Sequence, residues 1–262
     1  MTASDPTAAW ERWRARTPEL HKKLVELLKR SIEERGHTRV VLGLSGGLDS
    51  TVAAYLFVET LGAANVFGVM LPYRTSDPLS LSSAQGIVNV LGITSRRVNI
   101  SPMVDAYFAN FPDANRERRA TRLAWERLAI LQDFGAHYGG QVLQIVNRSD
   151  LALDFGPDPR LPGNAFRPLS GLYKSQIRLL GKQLEIPAQV LERRPSLDSY
   201  PGQADEAELG ADYEMIDAAL TWLIDARGAL PAGVARGLPA DVLERVQARL
   251  ERTGSAGAVG ID

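Results

Sequence analysis

Apolar and polar positions along the chain follow two different periods, and these predict alternating strands and helices. Short runs that end at glycine, proline or loop residues predict four strands, at residues 39–47, 65–73, 95–100 and 141–146. Between them, helices are predicted over residues 48–62, 80–92 and 114–138. Strands that alternate with helices are typical of a parallel sheet covered on both faces. We therefore expect a doubly wound α/β fold.

Helical patterns flank this predicted sheet on both sides. Residues 6–35 predict one or two amphipathic helices, with Pro18 at a start or a break. Further helices are predicted over residues 171–184, 212–226 and 237–253, whereas residues 154–165, rich in Gly, Pro and Asp, predict a loop. Without an internal repeat or a clear boundary, we expect one domain over residues 1–262. It would carry an N-terminal helical extension (1–36) and a C-terminal helix with a mobile tail (230–262).

Composition excludes several functional classes. The formal net charge of the 262 residues is -1, so no overall basic field favours nucleic acid. The chain has no cysteine, which excludes disulfides, thiolate metal sites and a thiol nucleophile. No apolar run approaches the length of a membrane span. We therefore expect a cytoplasmic protein with neither a nucleic-acid partner nor a membrane partner.

A glycine-rich loop, SGGLDS at residues 45–50, follows the first predicted strand and opens a helix. One interpretation is a tight turn with Asp49 or Ser50 as the N-cap. A dinucleotide loop is a poor match, because the G-x-G-x-x-G spacing is absent. In the third interpretation, backbone N–H groups, two hydroxyls and a helix N-terminus bind a pyrophosphate. Because an acid within an anion site is repulsive unless a metal bridges it, Asp49 then implies Mg²⁺.

The loop and four further stretches resemble a known family. SGGLDS resembles the signature of the N-type ATP pyrophosphatases. VMLPYRTS, NRSD, PLSGLYKSQIRLLGKQLEIP and RRPSLDSYPGQADEAELGADYEMID resemble the NAD synthetases within that group. The resemblance covers roughly residues 20–225. It implies an adenine nucleotide alpha hydrolase-like fold, a homodimer paired through the long helices, and ATP with Mg²⁺ as cofactors.

The resemblance also implies a ligase reaction and assigns residues to it. A carboxylate attacks the α-phosphate of ATP, pyrophosphate leaves, and ammonia then displaces AMP. Asp49, Lys174 and Ser45 are the implied catalytic residues, and Asp49 and Asp150 the implied Mg²⁺ ligands. The ATP-binding residues implied are Gly43, Ser45, Gly46, Gly47, Asp49, Ser50, Arg74, Lys174 and Ser196. The alternative for Lys174 is a solvent-exposed lysine at a helix start, where the helix dipole is unfavourable to a cation.

The chain departs from the family pattern mainly where the family binds deamido-NAD. An arginine of the long helix becomes Trp125, although Arg127 keeps the second arginine of that motif. A threonine that contacts ATP becomes Ile145, and a lysine and an aspartate of a later loop become Asp158 and Leu161. A C-terminal His-Lys pair has no counterpart. Losing arginine and lysine removes charge-assisted contacts to phosphate.

Three interpretations of function remain open at this point. In the first, the protein is an amide synthetase for a small-molecule carboxylate other than deamido-NAD, one suited to Trp125 and Leu161. In the second, it is an ordinary NAD synthetase in which Arg122, Arg127 or Arg160 compensates. In both, ammonia is free or comes from a separate donor protein. In the third, the chain binds a nucleotide without turnover.

Overall fold

Four parallel strands form the central sheet of the computed structural model, which describes residues 6–154, 165–193, 205–234 and 237–253. They are β1 (Val40–Gly43), β2 (Val66–Met70), β3 (Thr94–Arg97) and β4 (Gln141–Leu143). Their spatial order is β3-β2-β1-β4, and every pairing is parallel. The chain therefore moves outward from β1 to β3 and then returns to place β4 on the other side of β1.

Helices connect the strands and continue beyond them. Their bounds are α1 (Pro6–Glu34), α2 (Leu48–Leu61), α3 (Pro78–Leu91), α4 (Ser101–Phe108), α5 (Arg116–Tyr138), α6 (Arg148–Leu153), α7 (Lys174–Gln183), α8 (Ala188–Leu191), α9 (Asp205–Leu209), α10 (Tyr213–Leu220), α11 (Leu230–Val234) and α12 (Ala240–Thr253). A π-helical turn, Thr221–Asp225, follows α10. Among the described residues, no helix is both long enough and apolar enough to cross a bilayer.

Alternate residues of β1 face two different apolar clusters, as expected for a strand covered on both sides. Val40 and Leu42 join a cluster with residues of α1, α2 and α7, whereas Val41 joins a cluster with residues of α4 and α5. A third cluster is formed by residues of α6, α10 and α12. The predicted doubly wound parallel sheet is confirmed. The single-domain division with its two terminal extensions stays a prediction, and the tail lies outside the described residues.

Several local features differ from the sequence-based expectation. The N-terminal segment is one helix that runs through Pro18, and α1 packs against α2, α7 and α10. The short helices α4 and α6 were not predicted, because eight and six residues give too few repeats of an apolar period. The glycine loop also starts its helix differently, since the N-cap of α2 is Gly47 rather than Asp49 or Ser50.

The sheet topology places two loops side by side. The glycine loop follows the carboxyl end of β1, and residues 144–150 follow the carboxyl end of the neighbouring strand β4. Strand order reverses between these two strands, because the chain runs from β1 to β2 in one direction and reaches β4 in the other. Ligands of open parallel sheets bind at such a switch point.

Candidate active site

Hydroxyl groups and backbone amides of the glycine loop bond to one another. The Oγ atoms of Ser45 and Ser50 lie 3.0 Å apart, and the backbone N–H of Gly47 donates to Ser45 Oγ at 3.2 Å. Thr51 Oγ1 donates to the Gly47 carbonyl at 2.8 Å. Since Gly47 has no side chain with which to cap α2, the start of this helix presents backbone N–H groups next to two hydroxyls.

Gly46 is at the tightest point of the loop. Its φ is +76°, and a Cβ atom there would lie 2.0 Å from the backbone carbonyl oxygen of Ser80 in α3. Residues other than glycine rarely adopt a backbone conformation with this positive φ. The contact would be with a backbone atom, so no movement of a side chain could relieve it. This position therefore requires glycine, which fixes the loop against α3.

Asp49 and Lys174 form a nearly buried ion pair although 125 residues separate them in the sequence. Lys174 Nζ lies 2.8 Å from Asp49 Oδ1, and the two side chains are only 10% and 13% exposed. The second carboxylate oxygen, Oδ2, accepts from Asn147 Nδ2 at 2.8 Å. The structure thus joins the glycine loop, the loop after β4 and the start of α7 at one carboxylate.

Asp150 meets the same group of residues through Asn147. Asn147 is the N-cap of α6, and its Oδ1 accepts from the Asp150 backbone N–H at 2.8 Å. In return, Asp150 Oδ2 accepts from the Asn147 backbone N–H at 3.4 Å. Asn147 is completely buried, and its hydrogen bonds connect the two carboxylates that the family resemblance assigns to Mg²⁺.

The donor set suits Mg²⁺ held together with a substrate. Carboxylate oxygens are the hard ligands that Mg²⁺ prefers, and Mg²⁺ is usually bound by one or two of them together with substrate phosphates and water. Within the described ranges, no group of three or more His, Cys, Asp or Glu is placed to hold a metal by itself. Asp49 Oδ1 accepts the hydrogen bond from Lys174, and Oδ2 accepts the one from Asn147. Each oxygen keeps a further lone pair with which it can bind a cation. Asp49 and Asp150 therefore fit the implied ion.

Lys174 is not the solvent-exposed lysine of the alternative interpretation. It is the first residue of α7, and the residue as a whole is 8% exposed. Its Nζ lies 5.8 Å from the centre of the Tyr213 ring. Its backbone N–H donates to Ser149 Oγ at 3.0 Å. A buried ammonium group at the positive end of a helix dipole is stabilised by the Asp49 carboxylate.

A fully buried carboxylate, Asp217 of α10, supports this helix start. Ser149 Oγ donates to Asp217 Oδ1 at 2.5 Å, and the Ser175 backbone N–H donates to Oδ2 at 2.8 Å. Burial raises the pKa of Asp217 to about 6, and the hydrogen bonds from Ser149 and Ser175 oppose that rise. Sequence reasoning missed Asn147, Ser149 and Asp217 as individual residues. The available signals were the N-x-x-D capping pattern and a lone acid in the apolar run of α10.

Several predicted site residues lie elsewhere or outside the described ranges. Arg74 is 61% exposed and lies 3.3 Å from the Asp105 carboxylate of α4. Arg127 reaches from α5 to the carboxyl end of β2, where its Nε donates to the Leu71 carbonyl at 3.4 Å. Ile145 packs against the apolar cluster of α1 and α2. The positions that the structure does not describe are Asp158, Arg160, Leu161 and Ser196.

Trp125 lines a separate cleft at the N-terminal half of α5. The cleft has a volume of about 650 Å³ and mixes charged, polar and aromatic side chains. Trp125 itself is 39% exposed. The lining residues are Tyr107, Asp113, Ala114, Asn115, Glu117, Arg118, Thr121, Arg122 and Trp125. One of the possible compensating arginines, Arg122, thus lies in the same cleft as the tryptophan.

Comparisons with known proteins agree with this geometry. The family model for NAD synthase matches residues 20–254. The NH(3)-dependent NAD(+) synthetase of Trichlorobacter lovleyi is 38% identical over 234 residues, which cover 89% of this chain and 86% of that protein. The NMN synthetase structure from Francisella tularensis superposes with a TM-score of 0.80 at 26% identity, covering 94% of this chain and 98% of that one.

A second solved structure shares the fold at lower identity. The NH3-dependent NAD synthetase of Campylobacter jejuni, solved with a nitrate ion, has a TM-score of 0.75 at 23% identity and covers 94% of this chain and 98% of that one. The family-model match and the Trichlorobacter relative both span most of the chain, including the glycine loop, Asp150 and Lys174. This chain therefore belongs to the NAD synthase family, whose members are ATP-using ligases that form carbon–nitrogen bonds.

Proposed function

We propose that this protein is an ammonia-dependent amide synthetase that converts ATP to AMP and pyrophosphate. The observation that carries the proposal is the buried pair of Asp49 and Lys174 beside the glycine loop. Hydroxyls, helix N–H groups and an ammonium group at one switch point are the features that bind a triphosphate. Asp49 and Asp150 would hold Mg²⁺, which when bound neutralises charge on the phosphate oxygens.

The reaction needs no protein nucleophile. An oxygen of the substrate carboxylate bonds to the α-phosphorus of ATP, the bond to the bridging oxygen breaks, and pyrophosphate leaves with that electron pair. Ammonia then attacks the carbonyl carbon of the acyl-adenylate, AMP leaves, and one proton is released. Lys174 and the N–H groups at the start of α2 would stabilise negative charge on the departing pyrophosphate. Binding in one fixed geometry supplies the in-line approach.

The first candidate acid is deamido-NAD, which would make the product NAD. Its support is the series of relatives named NH(3)-dependent NAD(+) synthetases, among them the Trichlorobacter protein at 38% identity. The second candidate is a smaller acid. Its support is Trp125, which replaces an arginine with an uncharged ring, and the likeness to a protein named NMN synthetase. Nicotinate mononucleotide, the acid that corresponds to NMN, is the matching smaller substrate.

A pyrophosphate-release assay tests the proposed function. It uses ATP, Mg²⁺ and ammonium with deamido-NAD, nicotinate mononucleotide or nicotinate as the acid. We expect release that depends on one of these acids, and we expect Asp49→Ala to reduce it at least a hundredfold. If calorimetry shows ATP binding but no acid yields AMP, the chain is the nucleotide-binding protein without turnover that the altered position Ile145 suggests.

Substitutions in the cleft separate the two candidate acids. Trp125→Arg restores the family's residue, so we expect it to raise kcat/KM for deamido-NAD relative to the mononucleotide. Thr121→Arg adds the same charge to the same cleft, four residues earlier on α5, and serves as the control. A matching shift in both variants would show that added charge alone, and not position 125, sets the preference.

Assembly and location belong to the same proposal. The half-exposed Trp125 and the charged face of α5 support a homodimer paired through this helix. Sedimentation would detect it, and Trp125→Asp should weaken it. We also propose that the protein works in the cytoplasm, where ATP is formed, with ammonia free or delivered by a separate donor protein.

A further inference from the structure

The buried cluster around Asp217 lies next to the proposed catalytic lysine and is hydrogen-bonded to its backbone. Asp217 belongs to α10 and is completely buried. Its Oδ1 accepts from Ser149 Oγ at 2.5 Å, and Ser149 Oγ in turn accepts from the backbone N–H of Lys174 at 3.0 Å. A continuous path of hydrogen bonds therefore joins Asp217 to the backbone of Lys174.

The second oxygen of Asp217 fixes the next residue of the same helix. Oδ2 accepts from the backbone N–H of Ser175 at 2.8 Å, and Ser175 Oγ lies 2.5 Å from it. The first two N–H groups of α7 thus both depend on this carboxylate, one directly and one through Ser149. These groups have no partner within their own helix, so without the cluster they would be buried and unsatisfied.

The position of this helix start decides where the lysine ammonium group lies. The Lys174 side chain spans from the first turn of α7 to Asp49 in α2, where Nζ lies 2.8 Å from Oδ1. Because the side chain is nearly buried, a shift of its Cα atom is not absorbed by a change of rotamer toward solvent. Displacements of about 1 Å at a catalytic group are enough to lower a rate by about a hundredfold.

We propose that Asp217, acting through Ser149, is a positioning residue that fixes the backbone of Lys174 so that its ammonium group stays at Asp49 and the ATP phosphates. This inference rests on the proposed function, because it needs Lys174 to act on ATP. A carboxylate in this position also offsets the helix dipole that opposes a lysine at the first residue of α7. A purely structural role would hold α10 against α6 and α7 without affecting the lysine.

Three variants in the same cluster separate these roles in the pyrophosphate assay. Ser149→Ala removes the link between Asp217 and Lys174, and Asp217→Asn leaves one acceptor oxygen where Ser149 and Ser175 need two. We expect each to lower kcat at least tenfold while the KM for ATP changes less than threefold. Ser175→Ala is the matched control, because it removes a buried hydroxyl on Asp217 but keeps the backbone N–H that donates to Oδ2. We expect Ser175→Ala to keep kcat within threefold of the wild type.

A second measurement follows the chemical reactivity of the Lys174 amine and does not depend on enzyme turnover. Acetylation of Lys174 by an amine-reactive ester is followed by peptide mass spectrometry in the absence of ATP, with the exposed Lys182 of α7 as the internal reference. We expect Lys174 to react at least fivefold faster in Ser149→Ala and Asp217→Asn than in the wild type and in Ser175→Ala. Ser149→Ala carries the test alone if the Asp217 variant does not accumulate as folded protein.

The two measurements distinguish failure of this inference from failure of the proposed function. Equal loss of kcat in all three variants, or an unchanged rate of Lys174 acetylation in Ser149→Ala, would overturn the positioning role. Absence of pyrophosphate release from the wild type with every acid would overturn the proposed function, while the acetylation rates would still decide whether Asp217 positions the lysine.

Discussion

Gly46 shows how strictly a single residue controls the candidate site. We predict that Gly46→Ala lowers the free energy of unfolding by about 2 kcal/mol or more, because a Cβ is strained at a positive φ and meets the Ser80 carbonyl. The loop must then move away from α3, so ATP binding should also be lost. Thermal unfolding measures the first effect and titration calorimetry the second.

Gly86 provides the control for that substitution within the same region. It lies in α3, and a Cβ there would meet nothing within 4 Å. Alanine is the better helix former by roughly 0.5–1 kcal/mol, so Gly86→Ala should stabilise the protein and leave ATP binding unchanged. Normal ATP affinity in Gly46→Ala would show that the loop does not need this backbone conformation to bind the nucleotide.

The residues of the site differ in how far sequence alone predicts them. The glycine loop combines a strand, two glycines and a helix start within ten residues, so its chemistry is local and can be recognised. The Asp49–Lys174 pair is not local, because 125 residues separate its members. Asp217 gave only the weak signal of an acid among apolar residues. Its serine partners become neighbours only when α6, α7 and α10 pack together.

At the scale of elements, α1 carries a local defect that its packing overcomes. Pro18 lies inside the helix, is exposed, and cannot donate a backbone hydrogen bond. We predict that Pro18→Ala raises the free energy of unfolding by about 3 kcal/mol, which is the difference in helix propensity between an interior proline and alanine. Urea denaturation of the two proteins measures the difference.

Pro102 is the matched control for position in the helix. It lies in the first turn of α4, where a backbone N–H has no partner within the helix. Pro102→Ala should therefore change the free energy of unfolding by less than about 1 kcal/mol. Equal gains from both substitutions would mean that α1 does not contain an ordinary hydrogen-bonded helix around residue 18.

The period of the apolar pattern explains which elements sequence analysis predicts. The helices α3, α5 and α12 have an apolar period, whereas α2 and the strands β1 and β2 are apolar runs bounded by glycine or turn residues. The structure forms all of these elements. The proline in α1 makes the sequence alone compatible with either one helix or two. The tertiary contacts of α1 with α2, α7 and α10 favour one continuous helix. The helices α4 and α6 are shorter than the window in which a period can be read.

At the scale of the molecule, the described residues form three apolar clusters that border the candidate site. The two clusters on the faces of the sheet position β1 and β4, and with them the glycine loop and Asn147. The third cluster contains residues of α6, α10 and α12 and lies beside the start of α7. The geometry of the candidate site therefore depends on helices that contribute no residue to the glycine loop, and Asp217 is a buried polar group at that junction.

The same junction should give the stability of the protein a pH dependence. Burial raises the pKa of Asp217 from its ordinary value of 3.8 to about 6, so the folded chain binds this proton more tightly than the unfolded chain. Its stabilising contribution is complete below about pH 4 and is lost as the pH rises through about 6. The loss amounts to about 3 kcal/mol, because each pKa unit corresponds to about 1.4 kcal/mol.

The variant Asp217→Asn isolates the contribution of Asp217 to the pH dependence, because an asparagine side chain does not titrate. We predict that the free energy of unfolding of the wild type, minus that of the variant, falls by about 3 kcal/mol between about pH 4 and pH 7. Urea titrations of both proteins at four pH values measure that difference. The other titrating groups are the same in both proteins, so their contributions to the two free energies of unfolding cancel. A difference that stays constant over this range would contradict a raised pKa, and one that grows with pH would mean that folding favours the ionised carboxylate through Ser149, Ser175 and Lys174.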